Sequence, residues 1–255
     1  MTREMRTRQL AATGLAVLLA CGVPSAQQTS GPASDTNPEK KKTETVTYEA
    51  KLLRAVWGSE NKILLTGGVR FTHGDTVLTC DEVQYDRDTN VAVSPGKVRI
   101  TDPNCDITGD RGTAYFKKRI GVVEGNVTLL VKPRPEEEKP SDDRGSAESI
   151  RAKLAKPTMV TCQKLEYNYR TKVATASGGV FLKQEKRSAS AQKLVYDEKN
   201  EIITLLGDVK GVDEDGQTFS APEKVVMCVK KGAEWMEAPN ATATFKVETE
   251  EESPQ

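Results

Sequence analysis

A 29-residue repeat constrains the fold of this chain more than any other feature of its sequence. A Gly-x-Val motif opens each unit, and its valines are Val69, Val98, Val127, Val180 and Val209. The steps between them are 29, 29, 53 and 29 residues, so the long step is one period plus 24 extra residues. Repetition at such a period is typical of folds in which each unit buries its apolar face against its neighbours. We therefore predict a stack of similar units.

Each unit also contains short runs in which apolar residues occupy every second position. Phe71 follows Val69 in this way, and Ile100 follows Val98. A period of two indicates β-strands with one buried face and one polar face. A tyrosine closes most units, 16 or 17 residues after the valine where no extra residues intervene. The pattern predicts an all-β chain with two strands per unit and about six units.

The apolar members of this alternation are predicted to face the interior. They are Val69, Phe71, Val83, Tyr85, Val98, Ile100, Tyr115, Val127, Leu129, Leu165, Tyr167, Val180, Leu182, Leu194, Tyr196, Val209, Val225 and Met227. Residues of this kind fill a closed core or line an apolar groove, and the sequence leaves both roles open. The glycines before each valine are predicted to serve turns between the units.

The composition is that of one β-domain with a sizeable core. The chain has 255 residues, no net charge and 36% hydrophobic residues, and about 200 residues remain once a leader and tails are set aside. Balanced charge argues against a dedicated nucleic-acid binder, which normally has a basic excess. The single histidine, His73, leaves little scope for His-based catalytic triads or metal sites.

Residues 1–26 have the pattern of a secretory signal peptide. A basic start precedes the apolar run Leu10–Ala20, which is short for a membrane span. Two cleavage sites compete. Small residues at 23–25 suit a general signal peptidase, whereas 18–21 resembles a bacterial lipobox in which Cys21 would be acylated. Either site predicts a mature protein outside the cytoplasm, soluble in one case and tethered as a lipoprotein in the other.

The remaining boundaries follow from composition. Residues 27–45 are rich in Pro, Ser, Thr and Lys and predict a disordered linker. The β-pattern extends over 46–245, and the 24 extra residues fall in a charged, Pro-rich insertion at 132–157. Within it, Ser146–Lys156 has the spacing of a short helix. The last segment, 246–255, is an acidic tail.

The cysteines are assigned to packing. Cys80 and Cys162 each stand five residues before a tyrosine, where Ala191 stands in another unit, so this position is predicted to be small and buried. Export permits disulfides among Cys80, Cys105, Cys162 and Cys228, and three complete pairings stay open. Cys80 and Cys162 would lie two repeats apart, beyond disulfide reach. No two cysteines are close enough in sequence to suggest a metal site.

No catalytic residues are predicted. Ser59 and Lys62 match a Ser-x-x-Lys pattern, but they fall in a turn between strands. Carboxylates are plentiful at the turns, yet none forms a specific acid/base pair as in glycan-cleaving enzymes.

Units such as GGVFLKQEKRSASAQKLVYDEKNEIITLLGDV and GGVRFTHGDTVLTCDEVQYDRDTNVAVSPGKV resemble the repeats of OstA/LptA-type proteins. These are periplasmic lipopolysaccharide-transport components, related to LptC and to the N-terminal domain of LptD, and the resemblance covers about residues 46–245. It implies an open β-jellyroll, a V-shaped stack of antiparallel strands whose apolar interior holds the acyl chains of lipid A. It also implies end-to-end assembly through edge strands.

The leading hypothesis is therefore a non-enzymatic carrier or bridge for lipopolysaccharide or a related glycolipid, without cofactor or metal. Its expected partners are LptC-like and LptD-like jellyroll domains or further copies of the chain. The alternative is a structural β-repeat protein that polymerises through its edges around a dry interior. LptC relatives usually carry an N-terminal transmembrane helix, which this sequence lacks, so the LptA-like role is favoured unless Cys21 is lipidated.

Overall fold

The computed structural model describes residues 46–58, 60–132, 156–230 and 232–244. All the regular structure in these residues is β, and they contain no helix. The signal peptide with Cys21, the linker 27–45, the acidic tail 246–255 and most of the insertion 132–157 lie outside the described residues, and of the predicted helix only its last residue, Lys156, is described.

In the described residues, eighteen strands form one sheet. Their bounds are β1 Val46–Glu49, β2 Leu52–Val56, β3 Lys62–His73, β4 Thr76–Asp86, β5 Val91–Ser94, β6 Val98–Thr101, β7 Cys105–Gly109, β8 Arg111–Tyr115, β9 Ile120–Val131, β10 Thr158–Asn168, β11 Val173–Gln184, β12 Arg187–Asp197, β13 Ile202–Leu206, β14 Val209–Val212, β15 Thr218–Ala221, β16 Lys224–Cys228, β17 Trp235–Glu237 and β18 Thr242–Ala243.

Every pairing is antiparallel, and each layer of the stack pairs with the layers before and after it in the chain. Six layers are single long strands, namely β3, β4, β9, β10, β11 and β12. The other six are pairs of consecutive short strands, such as β5 with β6 and β13 with β14. The described residues thus form twelve layers, which agrees with the predicted six units of two strands.

The Gly-x-Val motifs lie at a bend inside the layers, so their predicted placement in turns between units is wrong. In β11 the pairing register with β12 shifts between Ser177 and Val180, across Gly178 and Gly179. Both glycines have φ near +80°, which a residue with a Cβ adopts only with strain. A β-bulge of this kind bends its strand. Repeated in successive layers, the bend folds the stack into the two arms of a V.

The missing Cβ of the first glycine also makes room for a neighbouring side chain. A Cβ placed on Gly178 would lie 2.6 Å from the Cβ of Gln163, and one on Gly67 would lie 2.7 Å from the Cβ of Lys51. Glycine is therefore required at this point for close approach as well as for its backbone angle.

The two arms are defined by the bend. Arm 1 contains β2, β5, β8, β13, β16 and β17 and the matching parts of the long strands, and arm 2 contains β1, β6, β7, β14, β15 and β18. The inner faces of the arms meet in one main core cluster that extends from Leu65 to Val180, and a smaller cluster continues it around Leu205 and Val209.

Candidate apolar groove

Cross-strand pairing aligns the inner-face residues in rows that run along the stack. Near the bend of arm 2, one row contains Val69, Cys80, Val98, Val127, Cys162, Val180, Ala191, Val209 and Ala221. Nearer the tip of arm 2, a second row contains Phe71, Leu78, Ile100, Ile107, Leu129, Val160, Leu182, Ala189, Gly211 and Phe219. The first of these we call the bend row and the second the tip row.

The inner face is closed from β3 to β8. Ile100 is 0% exposed and Phe71 is 2% exposed. The cavity between the arms here measures about 10 Å³ and is lined by Leu78, Val98, Ile100 and other core residues. That volume is about what one water molecule requires, so an acyl chain has no room in this half of the molecule.

From β11 onward the inner face opens along the tips of the arms. The tip row changes from large side chains to Ala189 and Gly211, which fill far less space. Its members Leu182 and Phe219 are only partly buried, whereas the bend row stays buried as far as Ala221. The arms therefore stay in contact at the bend and part at the tips.

Arm 1 shows the same transition on its own tip side. Tyr85, Ala92 and Ala114 are buried in the first half, while Tyr196, Ile203 and Met227 are partly exposed in the second. We call the partly exposed inner-face residues of this second half the open inner face. It comprises Leu182, Leu194, Tyr196, Ile203, Phe219 and Met227.

The residues predicted to face inward divide into three groups. Eleven are fully buried, namely Val69, Phe71, Val83, Tyr85, Val98, Ile100, Val127, Leu165, Val180, Val209 and Val225. Six are partly buried on the inner face, namely Leu129, Tyr167, Leu182, Leu194, Tyr196 and Met227. The structure brings only the last four of these six into the open half.

The inward position predicted for Tyr115 is wrong. Tyr85 pairs with Ala92, which pairs with Ala114, so alanine takes the place of the tyrosine in this unit. Tyr115 is the next residue and therefore points to the other face, where the ammonium of Lys118 lies 5.4 Å from its ring centroid. Its spacing of 17 residues from the valine, instead of 16, is a one-residue register change, and such a change exchanges the two faces of a strand.

Two aromatic residues beyond the strand ends complete the inner face of arm 1 and were not predicted. Phe116 packs edge-on against Tyr85 at 5.5 Å between ring centroids, and Tyr169 packs edge-on against Tyr167 at 4.9 Å. Both pack against the main core cluster. The signal was present in the sequence, because both continue the two-residue alternation into the turn.

The tyrosines at this edge are protonated groups held by burial and hydrogen bonding. The hydroxyl of Tyr167 donates to a carboxylate oxygen of Glu198 at 2.7 Å. Burial, followed by this bond to a carboxylate, raises the pKa of Tyr167 above its usual range. Burial likewise raises the pKa of Tyr169.

Cys80, Cys105, Cys162 and Cys228 are free thiols. Cys80 pairs with Val69 and Cys162 with Val127, in the same position in which Ala191 pairs with Val180, so the predicted equivalence is confirmed. Burial raises the pKa of Cys80 and of Cys162, and it raises that of Cys105 to about 12. These thiols act as small packing groups.

The described ranges contain neither a cluster of metal ligands nor a helix that could span a membrane. Within residues 46–58, 60–132, 156–230 and 232–244, no three His, Cys, Asp or Glu side chains come together as metal ligands. No helix in this part of the chain is long and apolar enough to cross a membrane. Ser59 lies outside the described residues, and Lys62 begins β3.

Comparison with known proteins shows a family match. Residues 49–233 match the family model described as LptA/(LptD N-terminal domain) LPS transport protein. The crystal structure of LptH, described as the LptA homologous periplasmic component of the conserved lipopolysaccharide transport device from Pseudomonas aeruginosa, matches with 15% identity and a TM-score of 0.29. That match covers 68% of this chain and 95% of the LptH chain. No curated protein is significantly similar to the sequence.

Proposed function

The chain belongs to the family of LptA and LptD N-terminal domain LPS transport proteins, and from that premise we propose that it carries lipopolysaccharide or a related glycolipid through the periplasm without catalysing a reaction. The acyl chains would lie against the open inner face. The observation that carries this proposal is the parting of the arms from β11 onward, because it leaves an apolar surface partly exposed inside an otherwise packed stack.

The energetics favour an acyl ligand on this surface. Leu182 and Leu194 pack against both core clusters while remaining partly exposed, so a hydrocarbon chain laid over them would continue the existing core. Each methylene group removed from water contributes about 0.8 kcal/mol. The closed half from β3 to β8 would serve as a rigid base for the groove instead of as part of it.

The two ends of the stack support assembly by strand addition. β1 and β2 form one edge layer and β17 with β18 forms the other. The first edge layer runs from arm 2 to arm 1 and the last runs from arm 1 to arm 2. A second copy, or a jellyroll domain of the LptC or LptD kind, could therefore pair antiparallel with either end.

Exposed inner-face residues at both ends would be covered by such a partner. Tyr48 is 49% exposed and Leu53 is 47% exposed at the first edge, and Met236 is 54% exposed at the last. Tyr48 pairs with Phe71 and Leu53 with Leu65, so both continue the inner face. Unpaired edges of this kind are an aggregation hazard unless a partner strand covers them.

The decisive experiment is lipid extraction from protein purified out of a membrane-containing host, followed by mass spectrometry. Leu194→Asp places a charge on the open inner face and should abolish bound glycolipid. The matched control is Lys193→Asp, which changes the adjacent, outward-facing residue of the same strand and should retain the lipid. Circular dichroism checks that all three proteins are folded.

Each outcome separates the proposal from the alternative. Glycolipid bound to the wild-type protein and to Lys193→Asp, but not to folded Leu194→Asp, supports transport through the open inner face. A folded wild-type protein that never contains lipid would contradict the proposal and favour a structural polymer with a dry interior. Fractionation of a Cys21→Ser variant tests membrane tethering separately, since only a lipoprotein would be released from the membrane by this change.

A further inference from the structure

Two adjacent turns at the tip of arm 1 carry a concentration of positive charge. The turn between β8 and β9 contains Lys117, Lys118 and Arg119, and the turn between β10 and β11 contains Arg170 and Lys172. The backbone N–H of Tyr169 donates to the carbonyl of Arg119 at 2.9 Å, which joins the two turns. We call these five cations the basic rim.

Few groups within the described part of the chain neutralise the basic rim. The ammonium of Lys117 donates to the backbone carbonyl of Asp88 at 3.0 Å, and that of Lys118 lies over the ring of Tyr115. No ion pair is formed by Arg119, Arg170 or Lys172 with another described residue. Of the neighbouring turn carboxylates, that of Asp88 accepts the side-chain amide of Asn61, and that of Glu198 accepts the hydroxyl of Tyr167.

The backbone of these turns shows where the cations can be replaced without added strain. The residue before the next strand has a positive φ in five turns of arm 1, at Asn61, Asn90, Arg119, Lys172 and Glu201. Asparagine adopts this conformation more readily than arginine or lysine does. Arg119 and Lys172 therefore stand at positions where asparagine would fit with less strain, as does Glu201 in a third turn.

The basic rim directly adjoins the mouth of the groove. Phe116 precedes Lys117 and Tyr169 precedes Arg170, and both aromatic residues pack against the core. The second turn leads into β11, the strand at which the inner face opens. A ligand with its chains on the open inner face would therefore have its polar end close to these cations.

We infer that the basic rim binds the phosphate groups of an amphiphile whose hydrocarbon chains lie on the open inner face. Clustered lysine and arginine side chains suit phosphate, because arginine can donate two parallel hydrogen bonds to its oxygens and lysine adds positive charge. This inference rests on the proposed lipid groove and adds a headgroup site to it. The acidic turn at 213–215, which leads into β15 at the tip of arm 2, would disfavour the same phosphate there.

The test uses Arg119→Asn combined with Lys172→Asn, since asparagine occupies the same backbone position at Asn61 and Asn90. The probes are dodecyl phosphate and dodecyl maltoside, which share one hydrocarbon chain and differ in headgroup charge. Calorimetric titration below the critical micelle concentration should show about tenfold weaker binding of dodecyl phosphate by the double variant, as expected for a lost charge-assisted hydrogen bond. Binding of dodecyl maltoside and the melting temperature should not fall.

Glu201→Asn is the matched control, because it changes the same turn position without removing a cation, and it should bind dodecyl phosphate at least as tightly as the wild type. Equal binding of dodecyl phosphate by wild type and double variant overturns the headgroup site and leaves the groove intact. Failure of the wild type to bind either amphiphile overturns the groove, and the inference with it.

Two further measurements identify other sources of the anion. If the wild type binds inorganic phosphate as tightly as dodecyl phosphate, the basic rim is a site for free phosphate, and the inference is overturned. Vesicles containing phosphatidylglycerol provide the second measurement. If they sediment with the wild type but not with the double variant, while both proteins bind dodecyl phosphate equally, the basic rim binds a membrane surface. That result would also overturn the inference.

Discussion

Tyr167 and Glu198 are hydrogen-bonded at 2.7 Å across an intervening strand. Tyr167 lies near the end of β10, and Glu198 lies in the turn after β12, so the bond bridges β11. Along the rest of the described stack, neighbouring layers are joined mainly by backbone pairing. This bond therefore ties together the layers at which the inner face begins to open.

Tyr167→Phe removes the donor of this bond and should lower the free energy of unfolding by about 1.5–3 kcal/mol, the usual contribution of a hydrogen bond to a charged group. Urea denaturation measures the change. A double-mutant cycle with Glu198→Ala measures the interaction energy of the two side chains. Once the first residue has been changed, changing the second should lower the free energy of unfolding only slightly. Fully additive effects would show that the two residues do not act together.

Gly178→Ala should be more destabilising than Gly179→Ala, although both residues have a positive φ. Each change costs about 1–2 kcal/mol in backbone strain. At Gly178 the new methyl group would also approach the Cβ of Gln163 at 2.6 Å, whereas a Cβ at Gly179 meets nothing within 4 Å. The extra cost should be about 1–3 kcal/mol in thermal or urea unfolding. Equal losses of unfolding free energy in the two variants would show that the bend requires glycine only for its backbone angle.

Ile100→Ala should lower the free energy of unfolding by about 2–5 kcal/mol, because it opens a cavity in the closed half, where nothing can collapse into the space. Leu194→Ala on the open inner face should cost less than about half as much, since its side chain is already partly in water. Chemical denaturation of both variants compares the two halves directly. A larger loss for Leu194→Ala would indicate that the arms do not part in solution.

Alkaline pH should destabilise the protein in part through Cys105. Burial, helped by the nearby carboxylate of Asp102, raises the pKa of this thiol to about 12 from an ordinary value near 9.0. The unfolded state therefore loses this proton first, so the neutral thiol contributes stability below pH 9 that is lost as pH rises towards 12. Between about pH 8 and pH 10, the wild type should lose more unfolding free energy than Cys105→Ala does.

The same thiol, although only partly buried, should react slowly in the folded protein. At about pH 8 the thiolate is the reactive form and is suppressed by the raised pKa. Ellman's reagent should modify Cys105 rapidly only after denaturation, and peptide mass spectrometry would locate the label. Rapid labelling of Cys105 in the native protein would show that the end of arm 2 opens readily.

The sequence predicted the repeat, the strands and the number of layers because these depend on local period. Val69, Val98, Val127, Val180 and Val209 mark the bend of alternate layers, and alternation around them identified most buried residues. The glycines before these valines were assigned to turns, because a bulge and a turn both require a positive φ and only pairing register distinguishes them.

The prediction for Tyr115 is wrong because its distance from Val98 is one residue longer than in the other uninterrupted repeats, and one residue exchanges the faces of a strand. Its one-residue offset was visible, yet only the pairing of Ala92 with Ala114 established which face it occupies. Phe116 and Tyr169 were missed because each lies just beyond a strand end, where alternation is no longer expected to continue.

The sequence by itself determined that this chain is a stacked β-repeat with an apolar inner face, since period-two alternation and the 29-residue spacing are properties of consecutive residues. Only the tertiary structure decided where that face is closed and where it is open. The separation of the arms depends on the combined volume of side chains far apart in sequence, such as Phe71 and Ile100 in one half and Ala189 and Gly211 in the other. No local sequence pattern determines this combined volume.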